Sequence, residues 1–248
     1  PRFHGKTMVS HLKDLGVLSP QFSIAHGTWV TAEDMQILRE KGAAVSHNPS
    51  SNLRLRAGVA PLNALLEEGV TMGLGMDGTT IGDDECMFSE MRLAARLHRT
   101  PQFGSAAPTY EQIFAMATSG GAKLMGKADQ IGKLEPGYKA DLVLVKANRL
   151  TRPWVAPEVN PLHLLLLRAK SVDVDTVLVG GKVVLQGGMP TNFDLNQVGH
   201  ELAAELDAQP AKQQHLDLVA ALKPYLVDWY KNWEQPTLEP YAAFNSKS

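Results

Sequence analysis

The sequence has a single cysteine, almost no net charge and no long apolar run. One thiol, Cys86, excludes an intramolecular disulfide, which suits a reducing cytoplasm, and its acidic neighbours disfavour a nucleophilic thiolate. The formal charge of −2 leaves no basic footprint, so we expect no nucleic-acid partner. The longest apolar run, residues 162–167, falls far short of the ~20 residues of a membrane helix, so we expect no membrane span. With 44% hydrophobic residues, the composition fits a globular protein.

From residue 22 onward, a short apolar stretch, a polar end and a helical pattern recur three times. The apolar stretches read FSIAH, AAVSH and VTMGLGMD, and they end at His26, His47 and Asp77. Continuous apolar strands separated by helices predict a parallel sheet covered on both faces. Because the carboxyl ends of such strands meet at one edge, we expect these three side chains to lie on a common rim.

The rest of the chain changes in character. We interpret residues 1–125 as βα units and residues 126–190 as a small β module, which contains a strand at 141–145 and a hairpin turning at Gly180 and Gly181. Residues 191–248 form a predicted helical tail, which Pro210 and Pro224 break or bend. Trp229 and Trp233 in this tail favour packing on the body or on a second subunit, and we expect a homo-oligomer.

The three strand ends suggest chemistry when taken together. A carboxylate such as Asp77 at the end of an apolar run is costly to bury unless a cation or several donors meet it. Asp77 alone is also consistent with a helix cap, and His26 or His47 alone with packing. Imidazole nitrogen and carboxylate oxygen are typical zinc or iron ligands, but only His26 and Asp77 are clear candidates, which makes the predicted metal site incomplete.

Several motifs carry a family resemblance over residues 24–188. The strings IAHGTWVTAEDMQILREKGAAVSHNPSSNLRL, GLGMDG, EMRLAARLHR, ATSGGAKLMG and IGKLEPGYKADLVLV resemble the aminohydrolase and chlorohydrolase branch of the amidohydrolase superfamily. The resemblance implies an α/β fold: the carboxy-terminal part of a (β/α)8 TIM-like barrel, part of a small β-sandwich domain and a helical tail. It also implies that the first five barrel strands, with the other metal-binding histidines, are missing from this sequence.

The resemblance also implies residue roles. Asp77 would bind the metal and shuttle a proton, and His26 would contact the metal, its water or the tetrahedral centre. The substrate pocket would be lined by the loop after the seventh barrel strand, through His47, Asn48, Ser51 and Asn52. One divalent metal per subunit is implied, Zn²⁺ or alternatively Fe²⁺. His4 and His11 lie in or before a predicted helix and not at a strand end, so we do not interpret them as metal ligands. The other histidines are interpreted as non-functional, in helical or surface-like contexts: His98, His163, His200 and His215.

The implied reaction is hydrolytic deamination of a small amino-substituted N-heterocycle of the purine, pyrimidine, pterin or triazine type, with release of ammonia. Alternatives on the same scaffold are a chlorohydrolase, an alkylaminohydrolase or a cyclic amidase, since a fold does not determine the leaving group. A further alternative is a catalytically silent chain that depends on a partner to cover its open sheet edges.

Overall fold

A computed structural model of the chain describes residues 5–78, 84–99, 104, 107–208 and 212–231. The chain divides into two compact units, one running to Met189 and the other beginning at Pro190. The domain boundaries inferred from the sequence, after residues 125 and 190, stay predictions. Within the described ranges, no helix combines the length and apolarity needed to cross a bilayer.

The elements follow in chain order. The helices before the tail are α1 (Met8–Asp14), α2 (Ala32–Lys41), α3 (Pro49–Arg54), α4 (Leu62–Glu67), α5 (Met87–Leu97), α6 (Tyr110–Ala115), α7 (Gly121–Leu124), α8 (Ala147–Leu150) and α9 (Pro161–Arg168). The strands are β1 (Ser23–Ala25), β2 (Ala44–His47), β3 (Thr71–Leu74), β4 (Leu142–Val145), β5 (Val174–Val179), β6 (Lys182–Gln186) and β7 (Met189–Pro190). A π-helical segment spans Met116–Gly120 and a 3-10 turn spans Ser171–Asp173.

The predicted parallel sheet is present. Its order is β1-β2-β3, and Ile24 pairs with Val45, which pairs with Met72. This row is buried and belongs to the main hydrophobic core. Coverage of both faces does not extend to β1, because Ser23 and Ala25 are exposed. The other outer strand of the described sheet, β3, is buried over Met72–Leu74, so the exposure is particular to β1.

Helix α2 shows how local sequence sets an element. The Thr31 side chain accepts from the Asp34 backbone N–H at 3.2 Å, and the Asp34 carboxylate accepts from the Thr31 N–H at 2.9 Å. This reciprocal pair satisfies N–H groups that the first turn leaves without helical partners. Gly42 ends the helix in the left-handed region at φ 68°. The predicted cap and stop are therefore confirmed.

The segment from α6 to α7 packs unusually close to β3. A Cβ atom on Gly120 would lie 2.3 Å from the Met72 carbonyl oxygen, which is shorter than any allowed contact. Gly73 is also tight, since a Cβ there would approach Leu124 Cδ1 to 3.2 Å. Glycine at both positions therefore lets the helical segment rest directly on the strand backbone.

A second, antiparallel sheet has the order β4-β5-β6-β7. Strands β5 and β6 form the predicted hairpin, and both turn residues, Gly180 and Gly181, have positive φ, at 55° and 79°. Two successive positive φ values are what a two-residue turn of the hairpin type requires.

The second unit contains α10 (Leu195–Asp207) and α11 (Lys212–Lys231). Pro224 lies inside α11, so of the predicted break or bend at this residue the break is wrong and the bend stays a prediction. Trp229 is 56% exposed. Pro210 and Trp233 lie outside the described residues.

Candidate active site

The ends of β1 and β3 bring together a histidine and an aspartate. His26 Nε2 lies 3.7 Å from Asp77 Oδ2, and about a third of each side chain is exposed. His26 comes directly after β1, and Asp77 comes a few residues after β3. The parallel strand order thus places both groups at the same edge, as predicted.

Both residues have a backbone conformation that is rare for their type. His26 has φ 71° and Asp77 has φ 65°, in the left-handed region. For residues other than glycine such a conformation costs roughly 1–3 kcal/mol, and it persists where the surroundings enforce it, often at functional sites. The His26 N–H donates to the Ser46 carbonyl at 2.8 Å, which holds the chain at this turn.

A short polar segment, residues 48–52, surrounds the pair. Its side chains Asn48, Ser51 and Asn52 are almost fully buried. Ser51 Oγ donates to Asp77 Oδ2 at 2.6 Å. Asn52 Oδ1 lies 2.8 Å from His26 Nδ1, and Asn48 Nδ2 lies 3.5 Å from the same nitrogen. Two of the residues predicted to line a pocket, Ser51 and Asn52, therefore hold the two residues predicted to do chemistry.

The contact with Asn52 assigns the tautomer of His26. With the Asn52 amide oxygen at 2.8 Å as the acceptor, Nδ1 carries the hydrogen, Asn48 Nδ2 at 3.5 Å is a packing contact, and the neutral ring presents a lone pair at Nε2. That lone pair faces the Asp77 carboxylate. Two acceptors that face one another attract a proton, a water hydrogen or a cation into the space between them.

Helix α3 presents the polar segment, whereas the sequence predicts a loop here. Pro49 occupies the first helical position, where its missing N–H costs nothing. Ser51 and Asn52 come next in the first turn and point at neighbouring strand ends. The proline at the first position is a start signal from which this short helix could have been predicted.

His47 lies apart from the contacts of His26 and Asp77. Its side chain is fully buried, and its Nε2 lies 3.1 Å from His98 Nε2. Burial lowers the pKa of His47 to about 3 and that of His98 to about 4, so both rings are neutral near pH 7. The predicted contact of His47 with a substrate stays a prediction; in this structure its Nε2 faces His98.

His98 differs from its prediction, which assigns it to a helical or surface-like context without function. Only 3% of His98 is exposed, because it lies just after α5 on the buried side of that helix. The spacing Glu90, Ala94, His98 repeats every fourth residue, and this period signals a shared helix face. The buried Ala94 on that face is the signal that could have identified His98.

Glu90 is a second buried polar group, and the sequence motifs assign no site role to it. Its carboxylate accepts from the Ser50 backbone N–H at 3.4 Å, at the beginning of α3. Burial raises the pKa of Glu90. Helix α5 therefore contacts residues 47–52 at two points, through Glu90 and through His98.

The donor set fits part of a zinc site. Two atoms bound to one zinc at about 2.0–2.2 Å each can lie no more than about 4.4 Å apart. His26 Nε2 and Asp77 Oδ2, 3.7 Å apart, satisfy this limit. No cluster of three or more histidine, cysteine, aspartate or glutamate side chains suited to a metal occurs among the described residues. The described part of the chain thus offers two candidate ligands of the three or more that a catalytic zinc requires.

The amidohydrolase family model matches residues 2–184, and the chain belongs to this family. The chain is 34% identical over 195 residues to a 5-methylthioadenosine/S-adenosylhomocysteine deaminase from Syntrophobacter fumaroxidans, covering 79% of this chain and 44% of that one. It therefore spans less than half the length of this relative.

Solved structures agree on the fold. A zinc-bound adenosine deaminase from Xanthomonas campestris superposes with a TM-score of 0.77 at 30% identity, covering 83% of this chain and 46% of that chain. An atrazine chlorohydrolase from Arthrobacter aurescens, complexed with zinc, superposes with a TM-score of 0.75 at 27% identity and covers 82% of this chain and 44% of that chain. Both likenesses place the chain among mixed α/β amidohydrolase folds.

Proposed function

We propose that this chain is the carboxy-terminal part of a metal-dependent hydrolase that deaminates an amino-substituted N-heterocycle. The observation that carries the proposal is the pairing of His26 and Asp77 at the ends of β1 and β3, the two strands that flank β2, each held by a buried side chain of residues 48–52. Structural relatives that hold zinc support one Zn²⁺ per subunit over Fe²⁺.

The roles of the residues depend on their contacts. When bound, the metal supplies activation of water near neutral pH. Asp77 takes a proton from the attacking water and returns it to the leaving amine, while Ser51 holds the orientation of its carboxylate. With its hydrogen on Nδ1, His26 would offer the Nε2 lone pair as an acceptor for a hydrogen of the attacking water, and Asn52 holds the opposite ring nitrogen. Ser51 and Asn52 thus act on the two reacting side chains, and Asn48 remains the candidate for direct substrate contact.

The relatives narrow the proposed substrate class to adenosine-type purines. A deaminase acting on 5-methylthioadenosine or S-adenosylhomocysteine is 34% identical, whereas the chlorohydrolase is 27% identical. We therefore favour release of ammonia from a purine over release of chloride from a triazine. An alkylaminohydrolase or a cyclic amidase remains an alternative on the same scaffold.

The architecture, the assembly and the location of the protein belong to the same proposal. The three parallel strands would be the last strands of a (β/α)8 barrel, and the β4–β7 sheet would be part of a β-sandwich domain. The missing metal ligands would come from the first five barrel strands. We also propose a homo-oligomer located in the cytoplasm.

The intact mass of the protein isolated from its source tests the missing strands. We expect about 45–50 kDa, the size of a whole barrel with a small domain. A mass near 27.0 kDa, that of this chain, would favour a partner-dependent or catalytically silent chain.

The reaction itself is tested by incubating the zinc-loaded isolated protein with adenosine, methylthioadenosine, S-adenosylhomocysteine and a chlorotriazine. We expect ammonia release from at least one purine, and its loss in Asp77→Asn, which keeps the shape of the side chain and removes its charge. Chloride release from the triazine without ammonia from any purine would contradict the deaminase assignment.

A further inference from the structure

Two neutral histidines share a single hydrogen bond inside the first unit. The two Nε2 atoms, of His47 and His98, lie 3.1 Å apart, and the ring centroids lie 5.0 Å apart with a tilt of 59°. One Nε2 donates its hydrogen and the other accepts it, so the rings hold opposite tautomers. The contact joins the end of β2 to the residue immediately after α5.

A buried histidine pair stabilises the fold less than an apolar pair of similar size would. The Nδ1 atoms of both rings are buried, and no hydrogen-bond partner for either occurs among the described residues. A buried nitrogen without a partner loses its hydrogen bonds to water and gains none, whereas two leucines would leave no such group. The retained polar pair therefore points to a directional requirement at this position.

The direction of the His47 side chain matters because Asn48 is the next residue in the chain. Asn48 has φ −125° and ψ 72°, outside the helical and extended regions, and its side chain does not cap α3. Asn48 Oδ1 instead accepts from Ser46 Oγ at 3.1 Å, and its Nδ2 approaches His26. Asn52, one helical turn later, holds His26 Nδ1. The orientation at the end of β2 thus bears on two contacts of His26.

The start of α3 has no side-chain cap of its own, and α5 contacts it in addition to the contacts of Ser51 and Asn52. Glu90 reaches the Ser50 N–H from the first turn of α5, and His98 reaches His47 from the opposite end. The polar segment is thus held on both sides by one helix. Loss of the histidine contact would free the strand end from which the segment departs.

We propose that His98 is a positioning residue: through its hydrogen bond to His47 it sets the segment from which Asn48 and Asn52 reach His26. This inference rests on the proposed deaminase function for its catalytic consequence. The hydrogen bond of the His98 ring goes to His47, so its effect on His26 passes through that residue.

The test compares four variants of the isolated, zinc-loaded protein. His98→Leu removes the hydrogen bond, and His98→Gln offers an amide N–H₂ that can donate to His47 Nε2. The double variant His47→Leu/His98→Leu removes the pair and leaves no ring nitrogen unpartnered. Ile113→Val, a conservative change at a fully buried position of α6, is the control for a general loss of packing.

We expect His98→Leu to lower kcat by about tenfold or more with little change in KM, because a displaced catalytic group slows chemistry more than binding. His98→Gln should recover most of kcat. The double variant should recover the thermal midpoint lost in His98→Leu while kcat stays low. Recovery of kcat in the double variant, or an equal loss in Ile113→Val, would overturn the proposal.

A second readout does not require activity. In ¹H–¹⁵N spectra, the side-chain amide signals of Asn48 and Asn52 should shift in His98→Leu, return in His98→Gln and stay unchanged in Ile113→Val. If these shifts occur but the parent protein deaminates nothing, the proposed function fails and the positioning role stands. Unshifted amide signals in His98→Leu would refute the positioning role.

Discussion

The hydrogen bond from Ser51 to Asp77 gives the sharpest prediction about the reaction. Ser51 is fully buried, and its Oγ lies 2.6 Å from Asp77 Oδ2, the oxygen that faces His26. Ser51→Ala removes the donor and leaves a small space without disturbing the backbone of α3. The carboxylate then loses the contact that holds its orientation.

The magnitude depends on the charge of the acceptor. A hydrogen bond to a charged group contributes about 1.5–3 kcal/mol. If the whole contribution is needed in the transition state, kcat falls by about 10- to 150-fold, since each 1.36 kcal/mol is tenfold. We expect KM to change little, because Ser51 is occupied by Asp77 and not by substrate.

The assay is steady-state ammonia release at saturating zinc, with Ser89→Ala as the matched control. Ser89 Oγ donates to Asp84 Oδ2 at 2.8 Å, which is the same kind of bond in an exposed position. The control should keep the parent kcat. A Ser51→Ala protein with unchanged kcat, or with a higher KM alone, would refute the argument that Ser51 acts through Asp77.

Three further predictions concern stability and metal. The pKa values of His47 and His98, about 3 and about 4, lie below the ordinary value of 6.5, so the unfolded chain binds more protons and the free energy of unfolding should fall as pH drops below about 6.5. Urea unfolding at pH 7, 6 and 5 measures how steeply the free energy of unfolding changes with pH, and each histidine adds up to about 1.4 kcal/mol per pH unit to this slope. An equal slope in His47→Leu/His98→Leu would contradict the lowered pKa values of the two histidines. Gly120→Ala should lower the free energy of unfolding by about 1–3 kcal/mol, because its Cβ would clash with the Met72 carbonyl. Gly199→Ala, in open space within α10, should raise it by about 0.5–1 kcal/mol. Thermal melts of both variants test this, and a Gly120→Ala protein as stable as the parent would contradict the close packing of this glycine on β3. Finally, chelation of zinc should abolish ammonia release and added Zn²⁺ should restore it; activity that survives complete chelation would exclude a metal-dependent reaction.

Glu90 also affects how the free energy of unfolding changes with pH. Burial raises the pKa of Glu90 above its ordinary value of 4.5, so this group favours the folded state as pH falls. Its contribution opposes that of the histidines and is the same in the parent and the double variant. The difference in slope between the two proteins therefore isolates the histidine pair.

Local features of the fold were predictable because local residues cause them. Thr31 and Asp34 form the expected capping box, and Gly42 ends α2. The Gly180–Gly181 hairpin also depends on adjacent residues that accept positive φ. The short helix α3 escaped prediction because its polar residues, typical of a loop, are buried by contacts with distant strand ends.

The site divides in a similar way. The family resemblance and the strand pattern indicated His26 and Asp77, and both meet at the sheet edge. Ser51 bonds Asp77 and Asn52 bonds His26. This choice of partner depends on distances between α3 and the ends of β1 and β3, which the spacing of residues along the chain does not reveal. His98 is the clearest case, since its partner His47 lies 51 residues away.

Residue order alone was enough to predict the succession of strands and helices, the caps of α2 and the polar character of the strand ends. Short-range periodicity and backbone preference act within a few residues, so a single chain reveals them. The choice of partner among the polar groups depended on the folded arrangement: Ser51 holds Asp77, Asn52 selects the tautomer of His26, and His47 turns away toward His98. These choices depend on burial and on hydrogen bonds between distant segments, because a polar group removed from water takes the partner that packing brings within reach.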